Sequence, residues 1–448
     1  MRWELTHLFI IVIYILVMGF FQDLRASEIQ NKRYTLEESV TKAISNFSSI
    51  KVKEEALEGA VNIRKRVRSE FLPELSTSYG YVRLSEPHRI KNLSLPPPIY
   101  TIPKIELDTE NNYQWKISLK QPIFTGFALT SSYKLAKLGI DVSKLELELE
   151  KLNIALRVKE AYFNVLRADK TRDVAESAAL QLESHVNEAR DFFNADIIPK
   201  NDLLKAEVEL GNVQHNLTKA QNATQLARSA FNILLSRRIN DPVEVEDVLE
   251  YQPPEFDFDE CLQKAFKNRP DMMIIDVKFL QVGQQIRLAK SGCYPEVALT
   301  ADYLKEGDSP DVSGSDFHLP SSWQFMVGLS WKFWQWGKTH YSTKEKENLK
   351  RQLIFTRSGI KDNIRLEVKE AALALDEAEK NIPTTKKAVS QAEENLRSSK
   401  ERYHNKLTTS TEVLDAQTLL TQARMNYYNS LYDYNLAIAK LKHAMGEY

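Results

Sequence analysis

The side chains with most chemistry to offer are eight histidines, two cysteines and 61 carboxylates in 448 residues, and none falls into a spacing that builds a reactive centre. A phosphate loop needs clustered glycines ahead of Lys and Ser or Thr, and a dinucleotide fold needs GxGxxG; neither pattern occurs. HExxH, which sets two imidazoles on one helical face for zinc, is missing, and so is the GxSxG nucleophile turn. The histidines are scattered without metal-ligand spacing, and His404 stands alone near a helix-to-helix turn, where a surface role is expected. Cys261 and Cys293 lie 32 residues apart on what reads as one helix, about 48 Å at ~1.5 Å per residue, so two free thiols are expected. No catalytic residue, metal centre or cofactor is therefore expected, and any energy for work must come from outside the chain. The formal charge of −1 gives no electrostatic case for nucleic acid.

What the chain does carry is pattern. Four segments alternate strictly between apolar and polar, the period of a strand with one apolar face. Tyr79 and Tyr81 alternate within the first (73–83), and Trp115, Ile117 and Leu119 within the second (113–123). Val297 and Leu299 belong to the third (295–304); Trp323, Phe325, Val327, Leu329 and Trp331 belong to the fourth (323–333). Each runs about ten residues, the length of a tilted strand crossing a bilayer. Five of the six tryptophans lie in or beside these strands, and Trp favours membrane interfaces. The twelve residues just named are the expected lipid-facing set. A four-stranded sheet packed on helices, with Trp in its core, is the alternative. Four strands cannot close a barrel, and open edges are not tolerated in lipid, so other subunits must complete it.

The rest is helical. Low Gly (14) and Pro (16), with 27% charged residues, favour long helices. Helical pattern runs from about Leu129 to Phe193 and from Thr339 to Tyr403, far longer than a globular helix. Leu138, Val142, Leu145, Leu149, Leu152 and Leu156, spaced 4, 3, 4, 3, 4, read as a coiled-coil seam. Pro383 predicts a bend or short break in the second long helix. Return helices are expected over about Asp202 to Leu235 and Thr411 to Met445.

The chain also repeats itself. LEESVTKAISNFSSI from Leu36 matches FDECLQKAFKNRPDM from Phe258, and SEFLPEL from Ser69 matches SGCYPEV from Ser291, both 222 residues apart. FFNADIIPKNDLLKAE from Phe192 matches RYHNKLTTSTEVLDAQ from Arg402 at a separation of 210. The organisation is thus a first repeat over 27–240, a linker over 241–257 and a second repeat over 258–448. The two interstrand loops, about 84–112 with Pro96, Pro97 and Pro98, and about 304–322, are polar and variable. Ahead of the first repeat, Arg2, an apolar run from Leu8 to Phe21 and the small Ala26 read as a signal peptide over 1–26, with an uncleaved anchor helix as the alternative.

These blocks, together with QPIFTG at Gln121, resemble the TolC-like outer-membrane factor family over essentially the whole chain after the first 26 residues. The resemblance implies a homotrimer in outer-membrane lipid: a twelve-stranded β-barrel, four strands per protomer, continued by a periplasmic α-helical barrel. It implies an exit duct for small molecules or proteins, working with a periplasmic adaptor (a membrane fusion protein) and an inner-membrane pump. The family's helix-to-helix turns carry Gly then Leu and meet the adaptor. Here Asp196 and Lys406 take the Gly positions, while Ile197 and Leu407 keep the apolar residue. Lys332 stands where the first repeat has Pro122. The family's entrance is narrowed by acidic residues on the return helix, which match Glu412 and Asp415 here, and Asp202 and Lys205 in the first repeat. The competing reading is a periplasmic coiled-coil scaffold or adaptor without a pore. Such a protein would have one helical hairpin, without duplicated amphipathic strand pairs.

Overall fold

A computed structural model describes residues 33–93, 102–249, 251 and 257–448. The expected signal peptide and Pro96, Pro97 and Pro98 lie outside the described residues. The chain is mostly helical and divides into two compact units. One takes the described residues up to Glu54, then Leu147–Met272 and Ile360–Tyr448; the other takes Glu55–Glu146 and Met273–Gly359.

The second unit carries the sheet. Strands β2 (Glu74–Arg83), β5 (Asn111–Thr125), β7 (Glu296–Gly307) and β8 (Ser322–Ser330) are antiparallel in the order β2-β5-β7-β8. Residues directly opposite one another share a face. Leu75 pairs with Leu119, Leu119 with Ala301, and Ala301 with Phe325. Thr77, Ile117, Tyr303 and Trp323 form the next row in the same way, and Leu299 opposes Val327. One face is therefore apolar across all four strands. It is also exposed: Trp323 is 79% accessible and Leu329 67%. Tyr113 joins this face, stacked 4.6 Å from Tyr81. The opposite face is polar, with Asp302 accepting from Ser118 at 2.6 Å and Gln324 at 2.7 Å, and ion-paired to Lys116 at 3.1 Å.

The strand limits differ from those read in the sequence. β8 ends at Ser330, so Trp331, Lys332 and Phe333 follow the strand rather than extending it. β5 runs longer because a bulge at Pro122/Phe124 lets the ladder continue past a residue with no N–H to donate. A short hairpin, β3 (Arg89–Leu93) with β4 (Ile102–Glu106), lies inside the first loop. β2 and β8, the outer strands, each leave one edge unpaired among the described residues.

Strand gives way to helix at a left-handed pair, Gly126 (φ 59°) and Phe127 (φ 70°). A Cβ on Gly126 would sit 2.6 Å from the Ser291 carbonyl oxygen, so only glycine fits. There follow α3 (Ala128–Asn194) and, in the second half, α7 (Lys338–His404), each 67 residues. α7 continues through Pro383 without the expected break. Thr384 Oγ1 donates to the Lys380 carbonyl at 3.2 Å and Thr385 Oγ1 to that of Asn381 at 2.9 Å. These hydroxyls serve carbonyls of the turn that the proline disturbs. The expected leucine seam is also displaced. Of its six members only Leu152 is fully buried; Ile140, Leu147 and Ile154, seven apart, are buried instead.

The other unit is helical. The return helices are α4 (Lys200–Leu234) and α8 (Ser410–Ala444). Each repeat opens with two helices rather than one: α1 (Leu36–Asn46) and α2 (Ser48–Ser69), then α5 (Phe258–Asn268) and α6 (Pro270–Lys290). Pro270 forces Arg269 out of helical geometry, so Cys261 and Cys293 do not share a helix; both thiols are free. The linker adds a strand, β6 (Glu244–Val245), parallel to β1 (Arg33–Tyr34). The buried Tyr162 hydroxyl fixes that junction, 3.0 Å from the Tyr34 carbonyl and 2.8 Å from that of Glu246. The core here is built on Tyr162, Phe231, Ile154, Val158 and Tyr434.

Candidate functional site

The two helix-to-helix turns have one construction. After α3, Ile197 N–H donates to the Phe192 carbonyl at 2.8 Å and Asp196 N–H to Phe193 at 3.0 Å. After α7, Leu407 N–H donates to Arg402 at 2.8 Å and Lys406 N–H to Tyr403 at 2.9 Å. This six-to-one and five-to-two pairing is a Schellman cap, whose pivot residue must be left-handed. The pivots are Asp196 (φ 56°) and Lys406 (φ 61°), so both turns keep the glycine conformation without glycine. The cap presents the following apolar residue to solvent: Ile197 is 40% accessible and Leu407 70%.

Immediately after the turns stand the four candidate entrance residues. Asp202 and Glu412 lie in the first turns of α4 and α8, where carboxylates complement the helix dipole. Glu412 is engaged within its own turn. Arg402 Nη1 donates to its Oε1 at 2.7 Å, and the Thr408 hydroxyl donates to its other oxygen. Neither partner stood out in the sequence; the only signal was a basic residue in the last helical turn. Asp415 and Lys205 lie one turn further on, both exposed. These two line one groove. α4 and α8 are in contact, and a groove of ≈ 600 Å³ is lined by Lys205, Asp415, Asn201, Glu209 and Leu414 among others.

Behind the turns is a buried support that the sequence did not reveal. Tyr403, Val413, Ala416, Leu420 and Leu396 form an apolar cluster, joined by Phe192. His185, on α3, is buried against it, its ring 4.8 Å from that of Tyr403 and its Nε2 2.8 Å from Ser410 Oγ. Burial pushes the His185 imidazole down from its ordinary range; Glu188 works in the opposite direction and Lys400 in the same one. Burial first, then the nearby Glu188 and Asp202 carboxylates, pushes the Tyr403 phenol up to about 12. Glu188 also meets His404 Nδ1 at 2.9 Å. No group of three or more His, Cys, Asp or Glu side chains among the described residues is placed to hold a metal ion.

Comparison with known proteins gives these features a context. The chain is 22% identical over 304 residues to the outer membrane protein TolC of Vibrio cholerae serotype O1, an alignment covering 65% of this chain and 67% of that protein. To TolC of Escherichia coli K12 it is 22% identical over 333 residues, 71% of this chain and 66% of that one. It thus spans about two thirds of the length of both relatives. Its fold is similar to that of the solved outer membrane protein VceC of Vibrio cholerae, with a TM-score of 0.77 and 16% identity over 92% of this chain and 96% of that one. The family model described as outer membrane efflux protein matches twice, over residues 40–235 and 261–447. The chain belongs to the outer membrane efflux protein family and is a protein of the outer membrane.

Proposed function

We propose that the chain is the outer-membrane exit duct of a tripartite efflux or type I secretion system. Three copies build it, and it passes small molecules or proteins outward without chemistry of its own. The observation that carries this reading is the sheet: one exposed apolar face continuous over four strands, a polar opposite face, and two edges unpaired among the described residues. Water does not tolerate that face and lipid does not tolerate those edges. Pairing β8 of one copy with β2 of the next, three times over, removes both problems and gives twelve strands. The two family matches support an origin of the long helices in an internal duplication. Six such helices and six return helices from three copies would wall the periplasmic duct.

The Schellman turns are the proposed docking surface. They expose Ile197 and Leu407 on rigid caps, which suits a periplasmic adaptor, and through it an inner-membrane pump. The entrance is proposed at the first turns of α4 and α8, with Asp202, Lys205, Glu412 and Asp415 around it. The test is reconstitution into a planar lipid bilayer. A duct gives discrete conductance steps; detergent-soluble trimers that insert yet never conduct would overturn the reading.

A further inference from the structure

We infer that Lys205 sets the ion selectivity of the entrance, because it is an exposed cation lining the same groove as Asp415; this rests on the duct reading. α4 and α8 place charge at matching positions 210 residues apart. The first position is acidic in both, Asp202 and Glu412; the second is reversed, Lys205 in one and Asp415 in the other. Of the two carboxylates near the start of α8, Glu412 is already held by Arg402 and Thr408. Asp415 points instead into the groove that Lys205 also lines. The remaining charge there is Glu209, which accepts a hydrogen bond from Asn212 at 3.1 Å. Among the described residues the groove therefore holds one cation and two carboxylates per chain.

The consequence is a specific one. Without Lys205 the groove doubles its negative charge, from one to two per chain. At a separation of about 6 Å in water, one added unit charge changes a monovalent ion's local concentration roughly threefold. A trivalent ion responds roughly as the cube, about thirtyfold. The wild-type entrance is thus weakly cation-selective and poorly blocked by polyvalent cations, because Lys205 opposes Asp415 and Glu209.

The experiment is single-channel recording of full-length wild type, Lys205→Gln, Lys205→Met, Lys205→Arg and Asp415→Asn under a salt gradient, with hexaamminecobalt(III) as the blocking probe. Lys205→Gln and Lys205→Met should each raise the cation-to-anion permeability ratio about tenfold, because cations gain and anions lose by the same factor, and tighten trivalent block more than tenfold. Lys205→Arg should match wild type, and Asp415→Asn should lose the residual cation preference. Conducting Lys205→Gln and Lys205→Met channels with wild-type selectivity and block would overturn the inference while leaving the duct intact. Wild-type protein that gives no channels would overturn the duct reading, and this inference with it.

Discussion

His185 Nε2 lies 2.8 Å from Ser410 Oγ, and both side chains are buried, one on α3 and the other at the first residue of α8. A long helix is thereby tied to a return helix just behind the exposed turns. Burial, which dominates over the opposing Glu188, makes the neutral imidazole the folded form. The folded value lies below the ordinary 6.5, so the unfolded chain binds the proton first as pH falls. Stability from this site is fully present above about pH 6.5 and declines as pH drops below it. Thermal unfolding from pH 8 to pH 5 should therefore show a steeper loss of Tm for wild type than for His185→Gln. Parallel curves would show that the imidazole is not held neutral.

Sequence pattern exposed some of this and hid the rest. The faces of the four strands were legible because side chains alternate with period two, so a register follows once one face is apolar. The 67-residue helices and their turns were legible because their pattern is long and their repeats match. The ends of β8 were not, since Trp331 and Phe333 keep the alternation after the hydrogen-bonded ladder stops at Ser330. Nor was the seam of α3, because Ile140, Leu147 and Ile154 repeat with the same seven-residue period as the leucines beside them. Ion pairs such as Arg402 with Glu412 depend on a turn folding back over ten residues, which no local pattern encodes.

The strand register sets up a paired test. Leu299 and Val327 oppose each other on the apolar face, while Thr300 and Ser330 lie on the other. Leu299→Arg or Val327→Arg should each cost roughly 2–4 kcal/mol and impair membrane assembly, because arginine would face lipid. Thr300→Arg and Ser330→Arg should assemble nearly as wild type. Membrane fractionation and heat-resistant oligomer on gels read both. Equal damage from the two pairs would contradict the facing.

The left-handed pivots make a second, independent claim. Asp196 and Lys406 occupy a conformation that costs an L-residue roughly 1–2 kcal/mol, which glycine avoids at some entropic cost. Asp196→Gly and Lys406→Gly should each leave stability unchanged or raise it by up to about 1 kcal/mol, whereas Lys406→Val should lower it by more than 1 kcal/mol. Denaturant unfolding measures this. A stable Lys406→Val variant would mean that the turn does not need its left-handed residue.

Docking through the turns is tested by charge. Replacing both Ile197 and Leu407 with Asp removes the exposed apolar pair without touching the cluster around Tyr403. Export should fall to background in cells while oligomer formation is preserved. Normal export by the double variant would remove the turns from the adaptor interface.

Four strands per chain close a barrel only in company. The most direct measurement is the mass of the protein extracted from membranes in detergent, with the detergent contribution subtracted. Three chains are expected, stable only while detergent or lipid is present. A folded monomer, soluble without detergent, would contradict it.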